Sequence, residues 1–158
     1  MSKRANLYLG SAGQHAVVSE FLVRGWNVAI PEVDVGDDIF VVRDRDGKLH
    51  RIQVKTATAQ TRNYGYNARF QVPLSQLSQV VEPELTYVFV VRSQKQWDTF
   101  LLISREDLFD EYENHEIGSK AGQTLVLNFR YSQQSVKCSD RDFSTYLNNW
   151  STWPVIEH

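Results

Sequence analysis

Three polar side chains near the middle of the chain combine the groups that a metal-dependent catalytic site needs. Asp38 and Gln53 supply a carboxylate and an amide oxygen, and Lys55 supplies an ammonium group. Carboxylate and amide oxygens are ligands that small, hard cations such as Mg²⁺ accept. A lysine beside such an ion can stabilise negative charge. These residues form a candidate catalytic site if the fold places them on one surface.

The segment 37–55, DDIFVVRDRDGKLHRIQVK, predicts a β-hairpin that would do this. The Asp-Gly pair at 46–47 is typical of a two-residue hairpin turn, because both central positions need positive φ. That turn places Asp38 opposite Lys55, with Gln53 on the same face and about 5–8 Å from Asp38. The opposite face is then entirely apolar, with Ile39, Val41, Ile52 and Val54.

The hairpin alone leaves a simpler explanation open. Opposite charges on neighbouring strands commonly attract one another. An amphipathic hairpin in which Asp38 and Lys55 form only a cross-strand ion pair would need no catalytic role. The residues that precede the hairpin favour the first interpretation.

Residues 11–25 predict a helix, since a serine at the start can cap it and a glycine at the end can stop it. At about 100° per residue, Gln14 lies on the apolar face that should pack on the sheet. Glu20 lies about 120° from Gln14, where an ion pair with Arg24 one turn later is the simpler role. The apolar residues are Ala16, Val17, Val18, Phe21, Leu22 and Val23.

These features together resemble the PD-(D/E)XK nuclease superfamily, and within it the archaeal Holliday junction resolvases and the small homing-type endonucleases. Asp38 opens one strand, and Gln53-Val54-Lys55 on the next is a Q-x-K form of the (D/E)-x-K motif. The spacing from Gly13-Gln14-His15-Ala16 to Gly25-Trp26 is similar to the opening helix of the resolvases, G-E-x-A to G-aromatic. The first 60 residues carry the resemblance.

The resemblance implies an α/β fold with a restriction-endonuclease-like αβββαβ core, in which helices flank a mixed central sheet. We expect one domain over residues 1–158, with its core motifs in 11–57 and further strands and helices in 85–150. The implied function is metal-dependent hydrolysis of phosphodiester bonds by a DNA endonuclease, either homing-type or junction-resolving. Its expected cofactor is Mg²⁺ or Mn²⁺, its substrate is double-stranded or branched DNA, and its expected assembly is a homodimer or homotetramer.

The resemblance also assigns roles to individual residues. The implied metal ligands are Asp38, Gln53 and the Val54 carbonyl, and Lys55 stabilises the transition state. Gln14 occupies the place of the family's glutamate, and an amide cannot carry the charge that offsets Mg²⁺. The candidate catalytic set is Asp38, Gln53, Lys55, Gln14 and Glu20, and the carboxylates that could compensate for Gln14 are Glu20, Glu32, Asp34 and Asp37.

Gln14 therefore supports an alternative function. The same fold could be a weak or inactive nuclease that serves as a DNA-binding or protein-binding module. Residues 56–69 follow Lys55 and mix polar, basic and aromatic side chains without a regular period, which predicts a loop over the site or a solvated hairpin tip. The candidate DNA contacts are Arg62, Tyr64, Tyr66 and Arg69 there, with Lys3 and Arg4 on a flexible start.

Composition does not exclude a nucleic-acid partner. The net charge is −2, but the acidic segment 105–116 holds six of the 19 acids and one of the 17 bases, so the remainder has 16 bases and 13 acids. No apolar run reaches the length of a membrane span, and residues 1–13 lack the apolar core of a signal peptide, so we expect a cytoplasmic protein. A single cysteine, Cys138, excludes an intrachain disulfide.

The remaining pattern predicts further strands and helices. The expected strands are 26–30, 85–91, 97–103 and 124–131, and the expected helices are 73–81, 104–114 and 140–150. Leu85 to Val91 is apolar on both faces and should be central in its sheet. Ser104 and Asp107 form a capping-box signature for the acidic helix. Trp150 and Trp153 are expected to serve packing or subunit contact.

Overall fold

The computed structural model describes residues 2–133 and 135–158 and consists of two β-sheets with three α-helices. The elements are α1 (Lys3–Val23), β1 (Asn27–Ala29), β2 (Ile39–Arg43), β3 (Lys48–Thr58), β4 (Gln60–Arg62), β5 (Gly65–Pro73), α2 (Leu74–Ser78), β6 (Leu85–Ser93), β7 (Gln96–Ser104), α3 (Arg105–His115), β8 (Ser119–Ala121), β9 (Thr124–Ser132), β10 (Ser135–Cys138) and β11 (Arg141–Asp142). A short 3₁₀ helix follows at Ser144–Tyr146.

The first sheet confirms the expected core. Its strand order is β1-β2-β3-β6-β7, and β3 runs parallel to β6 while the other neighbours are antiparallel. Along the chain, α1, the strands β1 to β3, α2 and β6 reproduce the αβββαβ order. The second sheet, β11-β10-β9-β5-β4 with β8 also paired to β9, was not anticipated.

Two apolar clusters cover the two faces of the first sheet. On one face, Val17 and Phe21 of α1 pack on Ile39 and Ile52 of the hairpin, and all four are completely buried. On the other face, the inward side chains of the second sheet pack against β6, as in the edge contact between Phe70 and Phe89 at 4.9 Å. The strand β6 is therefore buried on both faces, as its continuous apolar sequence predicts.

The β2–β3 hairpin does not have the predicted turn. Arg43 pairs with Lys48, so the loop has four residues and the register is displaced by two from the predicted one. Only Gly47 has positive φ there, at 68°, whereas the predicted turn needs positive φ at both central residues. The Asp46 carboxylate accepts hydrogen bonds from the Arg43 side chain and the Lys48 amide, which fixes the wider loop. A displacement by two residues keeps every side chain on its predicted face.

Three other predictions were wrong in extent or type. Helix α1 begins at Lys3 rather than Ser11, because the Ser2 hydroxyl caps it by accepting from the Ala5 amide. The predicted loop 56–69 consists largely of strands that carry the chain into the second sheet. The predicted helix 140–150 is interrupted by residues with positive φ, among them Asp140 at 64°, and only the 3₁₀ turn remains.

The C-terminal tryptophans pack within the chain. Trp153 is buried and meets the Phe21 ring edge-on at 5.3 Å, and Trp150 meets the same ring at 5.4 Å. The Trp26 indole N–H donates to the Pro154 carbonyl at 2.9 Å. The tail thus closes over α1 and the first sheet. No helix in the described ranges is both long and apolar enough to cross a membrane.

Close contact between α1 and β3 depends on Gly13. A Cβ atom at this position would lie 2.0 Å from the Thr56 Oγ1 atom. We expect Gly13→Ala to lower the free energy of unfolding by about 1–3 kcal/mol, because the helix must move away from the strand. Gly10→Ala is the matched control, since a Cβ there meets nothing within 4 Å, and it should stabilise the helix by about 1 kcal/mol. Urea unfolding of both variants measures the difference, and equal effects would contradict this account.

Candidate active site

Asp38 joins the two strands that carry the candidate site. It lies immediately before β2, and its Oδ2 atom accepts hydrogen bonds from the Val54 amide at 2.7 Å and the Gln53 Nε2 at 2.8 Å. The Asp38 amide donates to the Ile52 carbonyl at 2.9 Å. Among the described residues, no donor reaches the other carboxylate oxygen, Oδ1. Asp38 therefore keeps one oxygen for a ligand while the other fixes its position.

A chain of hydrogen bonds holds the Gln53 side chain from behind. The Gln53 Oε1 accepts from Gln76 Nε2 at 3.4 Å, and the Gln76 Oε1 accepts from the Tyr87 hydroxyl at 3.0 Å. Gln76 also donates to the Gly36 carbonyl at 2.9 Å, which ties the loop before Asp38 to α2. Sequence reasoning missed Gln76, because its partner Gln53 is 23 residues away and no local pattern connects them.

Gln14 lies beside the site, as the helical phase predicts. Its Nε2 donates to the Asp38 backbone carbonyl at 3.1 Å. Glu20 is placed elsewhere: its carboxylate accepts from Arg24 at 2.6 Å, and it lies about 9 Å further along the helix axis than Gln14. Glu20 is therefore not part of the candidate site around Asp38. Gln14 is the residue of α1 that donates to Asp38.

Lys55 lies on the same face of β3 as Gln53, two residues further on, and borders a groove of about 680 Å³. The groove lies between the N-terminal half of α1 and strands β3 to β5, and Asn6, Arg69 and Gln71 contribute to its walls. Burial lowers the pKa of Lys55, and the charges of Asp38 and Asp34 counteract part of this effect. Within the described part of the chain, no carboxylate forms an ion pair with Lys55. The simpler explanation, a cross-strand ion pair between Asp38 and Lys55, is therefore not what the structure has, and the ammonium group is available to a ligand.

The carboxylates near Asp38 are not equivalent. Burial raises the pKa of Asp38, the Val54 amide lowers it, and the nearby charges of Asp34 and Asp37 raise it further. Asp37 is buried and paired with Arg51 at 3.0 Å, so its charge is already compensated. Asp34 is exposed and accepts from the Gly36 amide at 2.9 Å. The site thus concentrates negative charge around one free carboxylate oxygen.

This arrangement fits a divalent cation with few protein ligands. In the described ranges, no group of three or more His, Cys, Asp and Glu side chains converges as a metal site. The free Oδ1 of Asp38 is an anionic oxygen available to the cation, and the Gln53 amide would have to rotate to present its oxygen, since its nitrogen now faces Asp38. The Val54 carbonyl accepts a long contact, 3.5 Å, from the Gln53 amide. Solvent or substrate oxygens would complete the coordination.

The predicted DNA-contact residues separate into two groups. Lys3 and Arg4 are exposed on the first turn of α1, and Arg62 and Arg69 are exposed on β4 and β5. Tyr66, in contrast, points into the core. The two tyrosines have different surroundings. Tyr64 donates a hydrogen bond to Asn67, and its ring lies beneath the Arg130 guanidinium. Tyr66 stacks on Tyr131 at 4.7 Å and donates to Asp98.

Comparison with known proteins identifies the class of fold. The structure is similar to that of a bacterial homing endonuclease, with a TM-score of 0.53 and 18% sequence identity over 91% of this chain and 87% of the other. This similarity establishes a restriction-endonuclease-like fold. A family model described as PD-(D/E)XK endonuclease matches residues 5–114. The chain belongs to the PD-(D/E)XK endonuclease family, and the expectation from the sequence is confirmed. A search of curated proteins found no significant match.

The buried charge of Asp38 should reduce stability at neutral pH. Because burial raises the pKa of Asp38 above its ordinary value of 3.8, the folded state binds more protons than the unfolded state just above that pH, so stability falls as the pH rises through the folded pKa. We expect Asp38→Asn to be more stable than wild type at pH 7 and to lose this advantage below pH 3.8. Urea unfolding at both pH values measures it, with exposed Asp140→Asn as control. A pH-independent difference would contradict the assignment.

Proposed function

We propose that this protein is a Mg²⁺-dependent or Mn²⁺-dependent DNA endonuclease that hydrolyses phosphodiester bonds at Asp38 and Lys55. The observation that carries the proposal is the free carboxylate oxygen of Asp38 near the Lys55 ammonium group, which forms no ion pair among the described residues, both on one face of adjoining strands. Membership of the endonuclease family and the fold of a homing endonuclease support it.

In this proposal each residue has a separate task. Asp38, assisted by Gln53 and the Val54 carbonyl, would hold the metal ion, which supplies charge neutralisation and a lowered pKa for a bound water. Lys55 faces the groove and contacts a phosphate oxygen, where its charge stabilises the negative charge of the transition state. Water attacks phosphorus and the bond to the 3′ oxygen breaks, which leaves a 5′-phosphate and a 3′-hydroxyl. Gln14 positions the Asp38 backbone through its hydrogen bond.

The proposed assembly follows from the number of sites. One such site cuts one strand, so cleavage of both strands, or action at a branched junction, requires two copies of the site in fixed relation. We propose a homodimer or homotetramer that acts on double-stranded or branched DNA in the cytoplasm.

The second candidate function is a DNA-binding or protein-binding module of the same fold without useful cleavage. It is favoured by the two amides of the site, because Gln14 and Gln53 replace groups that could be anionic. The orientation of Gln53, whose nitrogen donates to Asp38, also opposes metal binding. This candidate predicts DNA binding without metal-dependent cutting.

A cleavage assay tests the proposed activity. We expect the wild type to cut supercoiled plasmid, linear duplex or four-way-junction DNA in Mg²⁺ or Mn²⁺, and to lose the activity in EDTA. Asp38→Ala and Lys55→Ala should each reduce the rate by about 10²–10³-fold, because each removes a charge aimed at the reacting phosphate. The matched controls are Asp44→Ala and Lys48→Ala, whose exposed side chains lie at the far end of the same hairpin, and both should cut normally.

The outcomes of this assay separate the two candidate functions. If the protein binds DNA but leaves it intact under every condition, the endonuclease proposal is wrong and the binding module is the function. Cutting that survives both Asp38→Ala and Lys55→Ala would place the active site elsewhere.

Gln14→Glu tests whether the helix limits metal binding. The substitution adds a carboxylate beside Asp38 and removes the donor to the Asp38 carbonyl. We expect the metal concentration for half-maximal cleavage to fall about tenfold, because a second anionic oxygen becomes available to the cation. Titration of Mg²⁺ in the plasmid assay measures it, and isothermal titration with Mn²⁺ reports binding without activity. Unchanged metal dependence in both would show that Gln14 is remote from the ion.

A further inference from the structure

The outward side of the second sheet presents arginine and amide side chains to solvent. We call this surface the basic sheet face, and it consists of Gln60, Arg62, Asn67, Arg69, Asn128, Arg130 and Lys137. All seven are exposed except Asn67, which is half-buried, while the alternate residues of the same strands fill the core. The sheet is thus amphipathic, with one face apolar and the other basic.

The pairing register places these side chains in rows across the strands. Asn67 is the partner of both Gln60 and Arg130, and Arg130 is in turn the partner of Lys137. In the next row, Arg69 is the partner of Asn128. Each central arginine therefore has an asparagine directly beside it on the neighbouring strand.

The positive charge of this face is only partly compensated, at its edge, where Asp142 of β11 is the cross-strand partner of Lys137. Arg130 and Lys137 are direct cross-strand neighbours, an arrangement of like charges that destabilises a sheet. Among the described residues, no carboxylate forms an ion pair with Arg62, Arg69, Arg130 or Lys137. The Arg130 guanidinium instead lies 4.8 Å from the Tyr64 ring centre, which holds it in place without neutralising it. A folded protein that retains such a face fits a polyanionic partner.

The basic sheet face continues into the groove at Lys55. A second groove of about 590 Å³ crosses the face, and Gln60 and Arg69 line both grooves. The chain itself makes the connection, because β3 carries Lys55 in the first sheet and leads directly into β4 of the second. A polyanion held on the basic sheet face therefore reaches the proposed site.

We propose that the basic sheet face binds double-stranded DNA and reads base edges in its major groove. This proposal rests on the proposed function, since the DNA bound is the substrate of the Lys55 site. The central strands β5 and β9 form a two-stranded ribbon, an element that the major groove, about 12 Å wide, admits. Arginine donates to the N7 and O6 acceptors of guanine, and asparagine accepts from N6 and donates to N7 of adenine, so Arg69 with Asn128 and Arg130 with Asn67 supply two reading pairs. Arg62 and Lys137 flank them and contact phosphates.

Fluorescence anisotropy measures the binding of a fluorescein-labelled 30-base-pair duplex at several salt concentrations. EDTA prevents cleavage, so the assay tests the contribution of the arginines to DNA binding alone. Arg69→Ala with Arg130→Ala should weaken binding at least tenfold. The affinity should fall at every salt concentration while the slope of log affinity against log salt changes little, because contacts to phosphates set that slope and these two arginines contact bases. Arg45→Ala with Lys48→Ala is the matched control, two exposed cations at the far hairpin, and it should bind as wild type. Equal losses in both double variants would overturn the proposal.

Selection from a randomised duplex pool tests base reading. Wild type should enrich a preferred sequence, and Asn67→Ala with Asn128→Ala should flatten this preference while it retains most of the duplex affinity. An unchanged preference would overturn base reading by this face, and stronger binding of single-stranded DNA or RNA would overturn the duplex assignment. Binding through this face without any cutting would refute the nuclease function and leave the binding surface intact. If the variant Arg69→Ala with Arg130→Ala cuts DNA and binds it with wild-type affinity, the binding surface is refuted and the nuclease function remains.

Discussion

The structure of the site depends on one partly buried carboxylate. Asp38 ends the pairing of β2 with β3 by offering its side chain, in place of a backbone carbonyl, to the Val54 amide. The same oxygen holds the Gln53 amide, through which Gln76 and Tyr87 are connected. A carboxylate in this position must remain hydrogen-bonded, because a buried acceptor without donors is costly. One atom of Asp38 thus positions the strands while the other stays free for chemistry.

The site contains two charged groups whose burial disfavours ionisation. These groups are Asp38 and Lys55, and the attraction between the two charges, without a direct ion pair, offsets only part of the cost. Perturbed pKa values of this kind cluster at functional sites, although structural networks also produce them. The surrounding apolar packing supports the arrangement. Gly13 allows α1 to approach β3 closely, and this contact brings Gln14 to the Asp38 backbone.

The second sheet changes how the proposed site meets its substrate. In the sequence, residues 56–69 read as a loop over Lys55, whereas in the structure they are the strands that leave the first sheet and build the second. The exposed cations therefore stand on a rigid surface. Asn128, the register partner of Arg69, and Arg130, the register partner of Asn67, come from a strand about 60 residues later in the chain. A surface assembled from distant strands can hold a duplex in a fixed orientation relative to Lys55.

The sequence by itself determined the family, the αβββαβ order and the placement of Asp38, Gln53 and Lys55 on one face, because residue type and period-two alternation are local properties. The predicted faces of the side chains are correct although the predicted turn is wrong, because a displacement of the register by two residues preserves the faces. Only the tertiary structure decided the four-residue loop, the hydrogen bonds of Gln53 with Asp38 and Gln76, and the rows of the basic sheet face. Each of these depends on pairing or packing between residues distant in the chain, and local patterns carry no information about such partners.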